Sequence, residues 1–146
     1  MNLSIQSGEL ITALAQAQSE FPVLNQDKAG YNYSYLTLAN ILNELRPILG
    51  KNGVVFTQGS KLDVRDGMPF VVVDSLLMHK AEWMSTEIAY PLGDIPKGMT
   101  EIQWVGSIIS YLRRYGALGI LGIAGAEKEI EDIQSDIKAE NIKLKG

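Results

Sequence analysis

The chain has no cysteine and a single histidine. Disulfides, thiolate metal sites and cysteine nucleophiles are therefore excluded. One histidine, His79 before Lys80, supplies neither a metal cluster nor a catalytic triad and reads as a strand-end residue. The missing cysteine also fits a reducing compartment. A long apolar run is lacking too. The longest, Gly116 to Ala126 (G-A-L-G-I-L-G-I-A-G-A), is too short and too rich in glycine to span a membrane. The first residues, M-N-L-S-I-Q-S-G-E-L, carry no basic n-region, so no signal peptide is expected. Excess positive charge is absent, because the formal net charge is −4. That excludes a general basic coat for nucleic acid and confines any such function to a local patch.

What is present is the composition of an ordinary globular protein. The 146 residues are 46% hydrophobic and 21% charged, which suits one compact domain. The acidity is uneven. Residues 127–146 hold six acids and four lysines, leaving eleven acids and nine Lys or Arg in residues 1–126. The expected organisation is a domain over 1–126 and an acidic tail over 127–146. In the tail, Ile130, Ile133 and Ile137 suggest an amphipathic helix or a mobile extension.

Periodicity supplies the elements. Gly8 to Glu20 reads as a helix with Leu10, Leu14 and Ala17 on one face and Ser7 as its cap, ended by Phe21-Pro22. Asn25 to Tyr35 reads as a loop. A second helix carries the stripe Leu38, Ile41, Leu42, Leu45 and Leu49, with Pro47 expected to bend or shorten it and Gly50 or Gly53 to stop it. Val54–Val64, Pro69–Met78 and Trp83–Leu92 read as three strands. Turn material at Asp66-Gly67 and Lys80-Ala81-Glu82 makes them an antiparallel meander. Thr100 caps a long third helix to Gly122. Its inner stripe is read as Ile102, Val105, Ile109, Leu112 and Gly116, and its polar stripe as Gln103, Ser107, Ser110 and Arg114. The fold class is α+β.

Ser110 to Gly116, S-Y-L-R-R-Y-G, carries the functional signal. Guanidinium groups bind phosphate bidentately and stack on bases, and tyrosines stack on unpaired bases. Arg113, Arg114 and Tyr111, with Gln103 and Ser107 on the same helix, have the chemistry of a sequence-tolerant single-strand site. The plainer reading makes the tyrosines core or interface residues and the arginines a helix end paired with acids. Lys28, Tyr33 and Tyr35, with Tyr31, form either a stacking patch or a loop tucked onto the sheet. Lys51, Lys61, Arg65 and Lys80 are further phosphate candidates. Asp63, Asp66, Asp74 and Glu82 follow no nuclease spacing. The glycines of G-A-L-G-I-L-G follow a helix rather than a strand, so they serve close packing or chain reversal and not a dinucleotide loop.

Three blocks together resemble the ERF (essential recombination function) family of single-strand annealing proteins from phages and prophages. They are A-L-A-Q-A-Q-S-E-F-P, Y-S-Y-L-T-L-A-N-I-L-N-E-L-R-P-I-L-G-K-N-G-V-V-F-T-Q and Q-W-V-G-S-I-I-S-Y-L-R-R-Y-G-A-L-G-I-L-G-I-A. The third is the specific one, matching at Gln103, Gly106, Ser107, Tyr111, Arg113, Arg114, Tyr115, Leu121, Gly122 and Ile123. The hairpin H-K-A-E-W resembles the family's H-x-x-G-E-W, with Ala81 in place of glycine. The resemblance implies a three-stranded β-meander on a long helix (a β-β-β-α core) with N-terminal helices. It implies binding and annealing of single-stranded DNA in recombination and repair, without ATP, cofactor or catalysis. It further implies assembly into rings or helical filaments, with the strand in a shared groove that Arg113 and Arg114 line. The setting would be the bacterial host cytoplasm, with a host single-strand-binding or replication protein as a further candidate partner. Leu112 stands where the family usually has alanine. A self-assembling scaffold without nucleic-acid binding is the alternative.

Overall fold

The computed structural model describes residues 1–24, 28–30, 33–124 and 142, and for 28–30 and 33–35 the backbone alone. The tail reading for 127–146 and the placement of Tyr31 lie outside the described residues, apart from Ile142, which is helical and exposed. In chain order the elements are β1 (Asn2–Leu3), α1 (Gly8–Ser19), β2 (Lys28–Gly30), β3 (Tyr33–Tyr35), α2 (Leu38–Lys51), β4 (Val55–Arg65), β5 (Met68–His79), β6 (Glu82–Pro91) and α3 (Glu101–Leu121).

The expected meander is there, but the sheet has four strands, not three. Its order is β1-β6-β5-β4, with every pair antiparallel. The extra strand pairs Asn2 with Ser85 and Leu3 with Met84. The stretch read as a loop contains a short hairpin, β2 with β3, in which Lys28 faces Tyr35 and Gly30 faces Tyr33. Asp66 and Gly67, at φ 51° and 76°, turn β4 into β5, and Lys80, at φ 54°, turns β5 into β6. Left-handed backbone at two consecutive positions is what a tight hairpin needs, and Asp-Gly adopts it at low cost.

Helices α1, α2 and α3 lie on one face of the sheet. Strand alternation puts Val71, Val73, Ser75 and Leu77 of β5 on that face. Leu77 packs with Leu10, Leu14 and Ala17 of α1, Ile41, Leu45 and Leu49 of α2, and Ala117, Ile120 and Leu121 of α3. Val71 and Val73 pack instead with Val105, Ile108 and Leu112 of α3. The inner stripe of α3 is thus rotated from the one expected. Ile108 is buried, whereas Ile102 is 75% exposed. Pro47 does not end α2, which continues to Lys51.

Each helix start is secured differently. Thr100 and Gln103 form a reciprocal capping box on α3. Thr37 Oγ1 accepts from the Asn40 N–H at 3.1 Å on α2. Ser7 occupies the N-cap position of α1, but its side chain makes no capping bond. The Glu82 carboxylate, 9% exposed, accepts from the Glu9 and Leu10 N–H groups at 3.2 and 3.0 Å. A carboxylate there meets both the orphan donors and the positive end of the helix dipole.

Candidate nucleic-acid interface

Two hydrogen bonds orient α3. Gln58 Nε2 on β4 donates to the Arg113 carbonyl at 2.9 Å, and Trp104 Nε1 donates to the Leu92 carbonyl, just past β6, at 2.7 Å. Trp104 and Arg113 are nine residues apart, about two and a half turns, and so occupy opposite flanks. Arg113 lies on the flank toward β4, while Tyr111 and Tyr115 share the flank of Trp104. Arg114 occupies the outward crest with Gln103, Ser107 and Ser110. The arginine pair that is adjacent in sequence is therefore split around the helix.

The tyrosines are 53% and 50% exposed, so neither is a core residue. Their rings stack at 6.4 Å between centroids and 21° between planes. The Arg114 guanidinium lies 5.8 Å from the Tyr111 centroid and 5.0 Å from that of Tyr115, and donates to Tyr115 Oη at 3.3 Å. Cation–π contact pre-organises a long side chain. Arg113 is exposed. The crest residues are partly engaged within the helix. Gln103 Oε1 accepts from the Thr100 N–H at 2.9 Å, and the Ser107 and Ser110 hydroxyls donate to the carbonyls of Gln103 and Gly106.

The strand candidates do not join this surface. Register places Lys61 and Arg65 with Val72, Asp74 and Glu87 on the face of the sheet away from the helices. There Arg65 Nη2 donates to Glu87 at 2.5 Å, Nε donates to Asp63 at 3.2 Å, and the guanidinium lies 5.8 Å from the Phe70 centroid. Glu87 first, and then Asp63, holds the Arg65 pKa above its ordinary value. Lys80 pairs with Glu9 at 3.5 Å, and Lys51 with Glu20 at 3.1 Å. Lys28, Tyr33 and Tyr35 sit on the β2–β3 hairpin, and their side chains lie outside what is described. Tyr115 completes the aromatic pair and belongs with the candidates; its spacing of four from Tyr111 was the signal for it.

Asp63, Asp74 and Glu87 lie on the far face of the sheet, and α3 carries no acid after Glu101. Arg113 and the Arg114–tyrosine stack therefore stand on a helix without acids past its first residue. Among the described residues no three His, Cys, Asp or Glu groups cluster to hold a metal ion, and no helix is long and apolar enough to cross a membrane.

The chain is an α+β domain, an antiparallel sheet with helices on one face, the longest of which displays an arginine beside stacked tyrosines. The chain belongs to the ERF superfamily, whose family model matches residues 10–143. Comparison with curated proteins and with solved structures gives no match.

Proposed function

We propose that the chain is a single-stranded DNA-binding protein that anneals complementary strands in phage recombination. The observation that carries this reading is the Tyr111–Arg114–Tyr115 stack, half exposed on a helix free of acids after Glu101. Unpaired bases stack on the tyrosine faces, while Arg113 and Arg114 neutralise phosphates. Membership of the ERF superfamily supports the same assignment.

The mechanism needs no bond cleavage and no nucleotide hydrolysis. One strand is held by its backbone and by one face of some bases, with pairing edges left open. A second strand is sampled through weak contacts until pairing locks, and pairing supplies the driving force. Repetition of one modest site in a ring or filament raises total affinity through effective concentration. The host cytoplasm is where such a protein would meet single-stranded intermediates.

The test is an annealing assay with two complementary fluorophore- and quencher-labelled oligonucleotides, free of ATP and metal. We expect pairing faster than the spontaneous rate, and loss of the acceleration in Arg113→Ala/Arg114→Ala with assembly intact. An unaccelerated rate from folded, assembled protein refutes annealing. Loss of assembly in the double variant, with no DNA binding by the parent chain, would instead favour a scaffold whose Arg-Tyr helix is a subunit contact.

A further inference from the structure

Besides the Trp104 bond to the Leu92 carbonyl, one polar seam crosses the contact between α3 and the sheet. Ser75, 1% exposed, interrupts the helix-facing row of β5 and falls between the two apolar clusters. Gln58 Nε2 donates both to Ser75 Oγ at 2.8 Å and to the Arg113 carbonyl at 2.9 Å. Above them sits Gly116, where a Cβ would lie 2.6 Å from Ser75 Oγ and 3.3 Å from Gln58 Nε2. Gln58 Oε1 is buried and has no partner among the described residues.

Apolar side chains at 58 and 75 would pack without leaving an orphaned acceptor. They would also leave the Arg-Tyr end of α3 poorly fixed along its axis, with the Trp104–Leu92 bond holding only the other end, since Val, Ile and Leu ridges find similar grooves one helical turn away. The seam removes that freedom. A glycine above Ser75 and a carbonyl within reach of Gln58 coincide at one axial position, directly beneath the turn that bears Tyr111, Arg113, Arg114 and Tyr115.

We infer that Gln58 is a positioning residue, which pins α3 on the sheet and so sets where the Arg-Tyr turn stands. Its importance for DNA rests on the proposed function, but the pin itself is tested without DNA. The chain has no cysteine, so Val55→Cys on β4 and Gly106→Cys on α3 give a clean spin-label pair. Both positions are exposed, and a Cβ at Gly106 meets nothing within 4 Å. Double electron–electron resonance is measured on labelled chains diluted with unlabelled ones.

In the parent background we expect one narrow distance. In Gln58→Met, which keeps volume and removes both donors, we expect the distribution to broaden or shift by up to about 5 Å, one turn. The melting temperature should fall only modestly, since Ser75 Oγ loses its donor while the unpartnered Gln58 Oε1 is removed, and affinity for labelled oligo-dT should weaken about tenfold. Ser75→Ala, which keeps the bond to the Arg113 carbonyl, is the milder second variant and should give a smaller broadening. An unchanged distance in both variants overturns the inference, as does an affinity loss accompanied only by a lower melting temperature. If the parent chain binds no oligo-dT, the DNA reading fails while the distances still decide the pin.

Discussion

Tyr111 and Tyr115 keep about half their surface in water yet stack on each other and on Arg114. Removing them should therefore cost binding and not folding. We expect Tyr111→Ala and Tyr115→Ala each to weaken oligo-dT binding by about 1–3 kcal/mol, while thermal unfolding moves by no more than about 0.5 kcal/mol equivalent. The two arginine environments separate phosphate contacts from structural ones. Arg113→Ala should lower affinity and reduce the salt slope by about 1. Arg65→Ala should leave the slope unchanged, because Arg65 is committed to Glu87 and Asp63 on the other face. A larger DNA defect in Arg65→Ala than in Arg113→Ala would place the strand on the wrong side of the sheet. Gly116→Ala forces a methyl group against Ser75 Oγ and should destabilise by about 1–3 kcal/mol in urea unfolding.

At the scale of elements, the starts of α1 and α3 make contrasting predictions. Thr100→Ala removes a local cap and should cost about 1 kcal/mol. Glu82→Ala leaves two N–H groups of α1 without their acceptor and should cost about 1–3 kcal/mol, read by the same unfolding curves. A third tie, Lys51 to Glu20 between α2 and the end of α1, is pH-dependent. Hydrogen bonding from Gln16 first, and then Lys51, holds the Glu20 carboxyl below its ordinary value. The contribution is present above the unfolded pKa and is lost as pH falls through the folded one, so a Glu20→Gln difference should vanish in acid. What the sequence revealed follows the range of each interaction. The Thr100 cap, the Asp66-Gly67 turn and the three long strands are local and periodic, and they were legible. Two- and three-residue strands such as β1, β2 and β3 carry no period. Glu82 caps a helix more than seventy residues earlier, and Gln58 meets Arg113 across the fold, so neither follows from spacing. The split of Arg113 from Arg114 was implicit in helical geometry, but which flank faces which strand needed the bonds from Gln58 and Trp104.

For the whole molecule, the question is how an acidic chain holds a polyanion. The far face of the sheet carries Asp63, Asp74 and Glu87 with Lys61 and Arg65, and the helical layer carries Glu9 and Glu44, but its longest member is free of acids after its first residue. Binding through that helix should be steeply weakened by salt, since each neutralised phosphate releases a condensed counterion. It should also prefer single strands, since a duplex hides the base faces that tyrosine stacks on. The most direct measurement is fluorescence anisotropy of labelled oligo-dT titrated with the protein at several salt concentrations, beside a matched duplex, without nucleotide or metal. We expect binding whose logarithm falls linearly with the logarithm of salt, much weaker binding to duplex, and loss of both affinity and slope in Arg113→Ala/Arg114→Ala. A folded, assembled protein that leaves the oligonucleotide unbound at low salt would contradict the proposed function.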